Sequence, residues 1–73
     1  MRKHLQSTRK LAIEKGEASC YGNLGIMFKL LGEYEKAREY LEQALAITKE
    51  IGDRKGEASS CANLGNVFLF AGE

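Results

Sequence analysis

Proline and tryptophan are both absent from the 73 residues. Without proline no helix is forced to stop, and without tryptophan the largest aromatic platform for a ligand is missing. Cysteine occurs twice, at Cys20 and Cys61, forty-one positions apart. Two are too few for a disulfide scaffold and stand at no metal-ligand spacing. Charge of one sign is lacking too. Lys plus Arg number 11 against 10 Asp plus Glu, a net charge of +1, which gives neither the basic footprint of a nucleic-acid binder nor an acidic tail. Apolar residues are 44% of the chain but scattered, and no run approaches the roughly 18–20 residues that a membrane span needs. Met1-Arg2-Lys3-His4 is basic, yet neither an apolar core nor a small-residue cleavage site follows it. A signal peptide is therefore not expected, and a cytoplasmic chain is. There is no phosphate loop, dinucleotide fingerprint or zinc motif. The composition describes a small helical protein without cofactor, nucleic-acid partner or membrane partner.

What is present is a repeat. Lys15-Gly16-Glu17-Ala18-Ser19 returns as Lys55-Gly56-Glu57-Ala58-Ser59, an offset of 40 residues. Asn23-Leu24-Gly25 returns as Asn63-Leu64-Gly65, Phe28 as Phe68, and Gly32-Glu33 as Gly72-Glu73. Between 15–33 and 55–73, eleven of nineteen positions are identical without a gap. The same offset carries Leu45, Thr48 and Ile51 back onto Leu5, Thr8 and Leu11. The expected division is a trailing helix of a preceding unit at 1–16, one complete unit at 17–56, and the first helix of the next at 57–73. A domain of this size buries only about 60% of its unfolded surface and is marginal without staples. A segment of a longer array, or a chain that self-associates through open ends, is the expectation.

Within the unit the periodicity is helical. Ala18, Tyr21, Leu24, Phe28 and Leu31 mark one helix face. Tyr34, Ala37, Leu41, Ala44, Thr48 and Ile51 mark a second, ended by Gly52-Asp53, and Ala58, Cys61, Leu64, Phe68 and Ala71 a third. Asp53 suits the N-cap of the last helix, because its carboxylate can accept from free first-turn N–H groups. Four helices are expected, near 2–13, 16–31, 34–51 and 54–71, with short joins that make neighbours antiparallel. Gly25 and Gly65 each cost a helix roughly 0.5–1 kcal/mol relative to alanine. Their recurrence points to close approach of a partner helix, with Ala37 placed to meet Gly25. Gly22 either shares that role or loosens the helix.

The spacing Tyr21…Leu24-Gly25…Phe28…Gly32…Tyr34…Ala37…Leu41…Ala44-Leu45 resembles a tetratricopeptide repeat (TPR), an aromatic, then Leu-Gly, then an aromatic, later two alanines. Cys61…Leu64-Gly65…Phe68…Gly72 matches the first half of a second copy. Lys49 stands where the family has its usual proline, and the period is 40 rather than 34. Both departures fit a longer-helix subclass, similar to the Leu-Gly-Asn repeat proteins of spindle orientation and to kinesin light chains. Glu50-Ile51-Gly52-Asp53-Arg54 is typical of that subclass. The resemblance implies an all-α, TPR-type solenoid fragment that binds a protein or peptide partner and is not an enzyme. For the spindle-orientation class it implies G-protein regulatory motifs or cytoskeletal adaptors as partners.

It also implies that first helices line a concave groove. The groove-facing positions would be Ser19, Gly22, Asn23, Ile26, Lys29 and Leu30, then Ser59, Ala62, Asn63, Asn66, Leu69 and Phe70. An Asn amide donates and accepts, so Asn23 and Asn63 can grip the backbone of an extended peptide; the alternative is a local bond to their own helix. Helices at about 8–10 Å spacing and a peptide advancing about 3.3 Å per residue would engage roughly every third peptide residue. Lys29 is either a partner for an acidic side chain or simply solvated. Ile26, Leu30, Leu69 and Phe70 form either an apolar groove floor or core and end-interface surface. Asn66 fits the asparagine slot of a carboxylate-clamp repeat, but Gly22 and Ala62 stand where that clamp needs Lys or Arg. The cysteines are expected to pack as small apolar groups, and His4 stands alone, with no partner for catalysis. Glu33, Glu35, Lys36, Arg38 and Glu39 form a solvated charged face.

Overall fold

The computed structural model describes the backbone of residues 2–72 and the side chains of residues 9–72. Three α-helices follow one another, α1 (Arg2–Leu30), α2 (Tyr34–Ile51) and α3 (Arg54–Phe70), with no strand among the described residues. The all-α expectation holds, but the first two of the four expected helices are one. His4, Leu5, Thr8 and Glu73 lie outside the residues whose side chains are described.

The reason for the fusion is visible where the helices do stop. α2 ends at Gly52, in the left-handed region with φ +75°. The Asp53 N–H donates to the Thr48 carbonyl at 2.8 Å and the Gly52 N–H to the Lys49 carbonyl at 3.2 Å, which satisfies the last carbonyls of the helix. Asp53 then opens α3, its Oδ1 accepting from the Gly56 N–H at 3.1 Å. Gly32 ends α1 the same way, with φ +82° and the Glu33 N–H donating to the Phe28 carbonyl at 2.9 Å. Forty residues before Gly52-Asp53 the chain has Ala12-Ile13. Alanine favours the helix and isoleucine cannot cap one, so α1 runs through. At 29 residues it is about 43 Å long and sets the long dimension of a 50 × 18 × 13 Å molecule.

α2 lies between the other two, antiparallel to each, while α1 and α3 touch each other little. Its position follows from its stripe. Ala37, Leu41, Ala44 and Thr48 are buried at steps of four, three and four, and the Thr48 hydroxyl is satisfied by donating to the Leu45 carbonyl at 2.9 Å. Against this stripe α1 sets buried Ala18 and Gly25 and half-buried Tyr21, Leu24 and Phe28. Leu31, expected on the same face, is 65% exposed in the turn. The Tyr40 ring lies between two α1 rings, 6.0 Å from Tyr21 and 5.4 Å from Phe28. Gly25 does allow the close approach expected of it: a Cβ there would lie 2.5 Å from Leu41 Cγ and 3.2 Å from the Ala37 carbonyl oxygen.

α3 departs from expectation. The stripe of Ala58, Cys61, Phe68 and Ala71 is exposed, with only Leu64 half-buried. The helix instead buries Ser60 and Val67, on the adjacent face that also carries Leu64, and Val67 joins Ala37 and Leu41 in the core cluster. Of the expected stripe, Leu64 packs against the core cluster and Phe68 borders a cavity with Tyr34 and Arg38 of α2, while Ala58 and Cys61 are exposed. Cys20 and Cys61, expected to pack, are both free and exposed. The charged face of α2 is solvated as expected, with Lys36 Nζ 3.5 Å from Glu33 Oε1 and both side chains about half exposed.

Two outcomes follow for the fold. Gly25→Ala drives a methyl into Leu41, an overpacking cost of about 1–3 kcal/mol that helix propensity offsets only in part. Gly65→Ala meets nothing within 4 Å and should stabilise by about 0.5–1 kcal/mol. Urea unfolding followed by circular dichroism should therefore shift in opposite directions for the two variants. Installing the missing stop signal, as Ala12→Gly with Ile13→Asp, should break α1 and lower the 222 nm ellipticity; an unchanged signal would show that something other than the absent cap keeps the helix whole.

Candidate functional site

The parallel run of α1 and α3, with α2 behind them, leaves a groove of about 450 Å³. α1 contributes Ser19, Gly22, Asn23 and Ile26, and α3 contributes Gly56, Ser59, Ser60 and Asn63. These lie at helical spacing, so the groove wall on each side is one helix face. Thr48 and Asp53, from the end of α2 and the turn after it, close the groove at one end with Lys15. Asn23 is exposed and Asn63 half-buried, and Ile26 is half-buried between the walls.

The two asparagines related by the repeat thus line one groove, and Ile26 lines it with them. The other three candidate residues do not. Asn66 is exposed on α3 outside the lining, and Lys29 and Phe70 face one another, with Lys29 Nζ 5.2 Å from the centre of the Phe70 ring. That cation–π contact joins the C-terminal ends of α1 and α3. Leu30 and Leu69 are 75% and 74% exposed and also lie outside the lining.

Sequence reasoning missed Lys15, Ala18, Thr48, Asp53, Gly56 and Ser60 as lining residues. Lys15 was available, since it sits four residues before Ser19 on the same helix face. Ser60 was available in the same way, three residues before Asn63. Chemically the groove is a strip of amides and hydroxyls with one cation, Lys15, and one carboxylate, Asp53, already engaged with the Gly56 N–H. Such a surface can exchange hydrogen bonds with a polypeptide backbone. Among the described residues no cluster of His, Cys, Asp and Glu is placed to hold a metal ion. No described helix is long and apolar enough to cross a membrane.

The family model for the tetratricopeptide repeat matches the chain twice, over residues 2–50 and 16–73. No curated protein and no solved structure matches it.

Proposed function

The chain belongs to the tetratricopeptide repeat family, and from that premise we propose that it holds an extended segment of a protein partner in the groove between α1 and α3, without catalysing a reaction. Repeats of this family generally mediate protein–protein interaction. The observation that carries the finer reading is that Asn23 and Asn63, one from each copy of the first helix, line the same groove. Two amides repeated at a fixed interval bind what is itself regular along its length, a peptide backbone, and leave its side chains free. Ile26 supplies an apolar contact and Lys15 a cation for an acidic side chain near the closed end. Asn66, Lys29 and Phe70 would take part only with a ligand long enough to pass the Lys29–Phe70 contact. The 40-residue period favours the longer-helix subclass of Leu-Gly-Asn and kinesin-light-chain type, and a cytoplasmic signalling adaptor is the setting that reading implies.

Self-association through the open helix faces is the second reading, favoured by Phe68 and Phe70 at 44% and 58% exposure. Light scattering over a concentration series separates the two: a monomer at all concentrations supports recognition of another protein, and a dimer supports assembly. The groove itself is tested with decapeptides selected from a random surface-immobilised library. In the double variant Asn23→Ala, Asn63→Ala their affinity should fall about tenfold or more, since each lost hydrogen bond contributes about 0.5–1.5 kcal/mol, with the circular dichroism spectrum unchanged. Unaltered affinity in a folded double variant would reject the groove.

A further inference from the structure

The lining of the groove stops at Ile26 on α1 and at Asn63 on α3. Both helices continue past those residues, and there the side chains on the same two faces meet. On α1 the lining residues Lys15, Ser19, Gly22 and Ile26 step by four, three and four, and the next step of three is Lys29. On α3 the lining residues Gly56, Ser59 and Asn63 step by three and four, and two further turns lead to Phe70. Lys29 is half-buried, with its Nζ 5.2 Å from the centre of the Phe70 ring. The contact therefore crosses from one groove wall to the other. The duplication does not supply this pair. Lys29-Leu30 of the first copy corresponds to Leu69-Phe70 of the second, so Lys29 and Phe70 each have a leucine as counterpart. The cation stands on one wall and the ring on the other because the two copies differ at these positions.

We propose that the Lys29–Phe70 contact is a bar across the groove, and that these two residues set the length of the extended segment the groove accepts. A bar matters only to a groove that holds a peptide, so it rests on that reading. Thr48 and Asp53 close the opposite end beside Lys15, and the free length runs from Lys15 to Lys29. Fourteen helical steps separate those two lysines, a rise of about 21 Å. A peptide advancing about 3.3 Å per residue fills that length with about six residues. The next residue meets the ammonium and the ring. To continue over exposed Leu30 and Leu69, the segment must displace the contact or climb out of the groove. A cation–π contact at an exposed site is weak. The bar therefore yields to a longer segment at a small loss of affinity, and it favours short ones without excluding the rest.

The test uses the intact chain and the tightest decapeptide from the random library, shortened one residue at a time from each end, with affinities read by fluorescence anisotropy. In the native chain affinity should level off at about six residues. Lys29→Met keeps the apolar stem and removes the charge, and Phe70→Leu removes the ring. In either variant affinity should go on rising beyond that length, and the decapeptide should bind about two- to fivefold tighter than it does to the native chain. Combining the substitutions should add nothing, because each alone removes the contact. Weaker decapeptide binding in either variant overturns the proposal, since the altered residue then touches the ligand and does not bar it. So does a native affinity that climbs steadily up to the full decapeptide. Nuclear magnetic resonance of the free chain tests the contact without a ligand. The Lys29 side-chain methylene protons should be shifted upfield by the Phe70 ring, and a native chain without that shift overturns the bar as well. The groove itself fails by a different result, unaltered affinity in Asn23→Ala, Asn63→Ala, which removes the bar with it. A length limit that persists in both Lys29→Met and Phe70→Leu overturns the bar alone and leaves the groove standing.

Discussion

Leu41 seated against Gly25 is the contact on which the rest of the structure depends. Among the described residues it is the one large side chain that is fully buried, and it reaches that depth because α1 offers no Cβ at position 25. Close approach there brings Tyr40 between Tyr21 and Phe28 and places Ala37 and Ala44 at the centre of the packing. With α1 held tightly on one side of α2, α3 can pack on the other through Val67 and Ser60. The groove is a by-product of that arrangement. Two parallel helices packed on a common third one must leave a channel between them.

A duplicated sequence usually suggests duplicated environments, and here it does not produce them. Each first helix needs two partners, one on the face of Gly25 and Phe28 and one on the opposite side. Glycine records this twice. Gly56 is crowded by Asp53 and Thr48 while its counterpart Gly16 has open space, and Gly25 is crowded while Gly65 has open space. α1 has the partner on one side and α3 has the partner on the other. Val67 is accordingly buried, whereas Met27, its counterpart, is 49% exposed. The identical residues encode a helix with two contact faces, and α2 alone can fill only one face of each.

The same point decides what was legible in the sequence. The stripe of α2 could be traced residue by residue, because both neighbours that define it lie in the chain. The turns at Gly32 and Gly52-Asp53 were legible because left-handed glycine and an Asp cap are local chemistry. The unbroken α1 was missed by carrying the repeat offset past the residues that support it: Ala12-Ile13 share none of the stop chemistry of Gly52-Asp53. The buried face of α3 was missed for a different reason. A pattern of apolar residues says which face wants a partner, not which partner is present, and α2 covers Phe68 only in part. Of the candidate residues, Asn23 and Asn63 line the groove at equivalent positions, whereas Ile26 lines it and its counterpart Asn66 does not. Lys29 and Phe70 lie beyond its lining because the ends of α1 and α3 are close enough for those two side chains to meet.

The division of labour between surfaces follows from polarity. The groove is lined chiefly by small polar side chains and glycine, with Ile26 its one large apolar contribution, and Thr48 and Ser60 are the buried polar residues among those described. Asn23 can therefore change with little consequence for Leu41. Cys61, Gly65 and Phe68 of α3 are exposed and lie outside the groove lining, so the second copy of the first helix meets solvent along a side where the first copy meets α2.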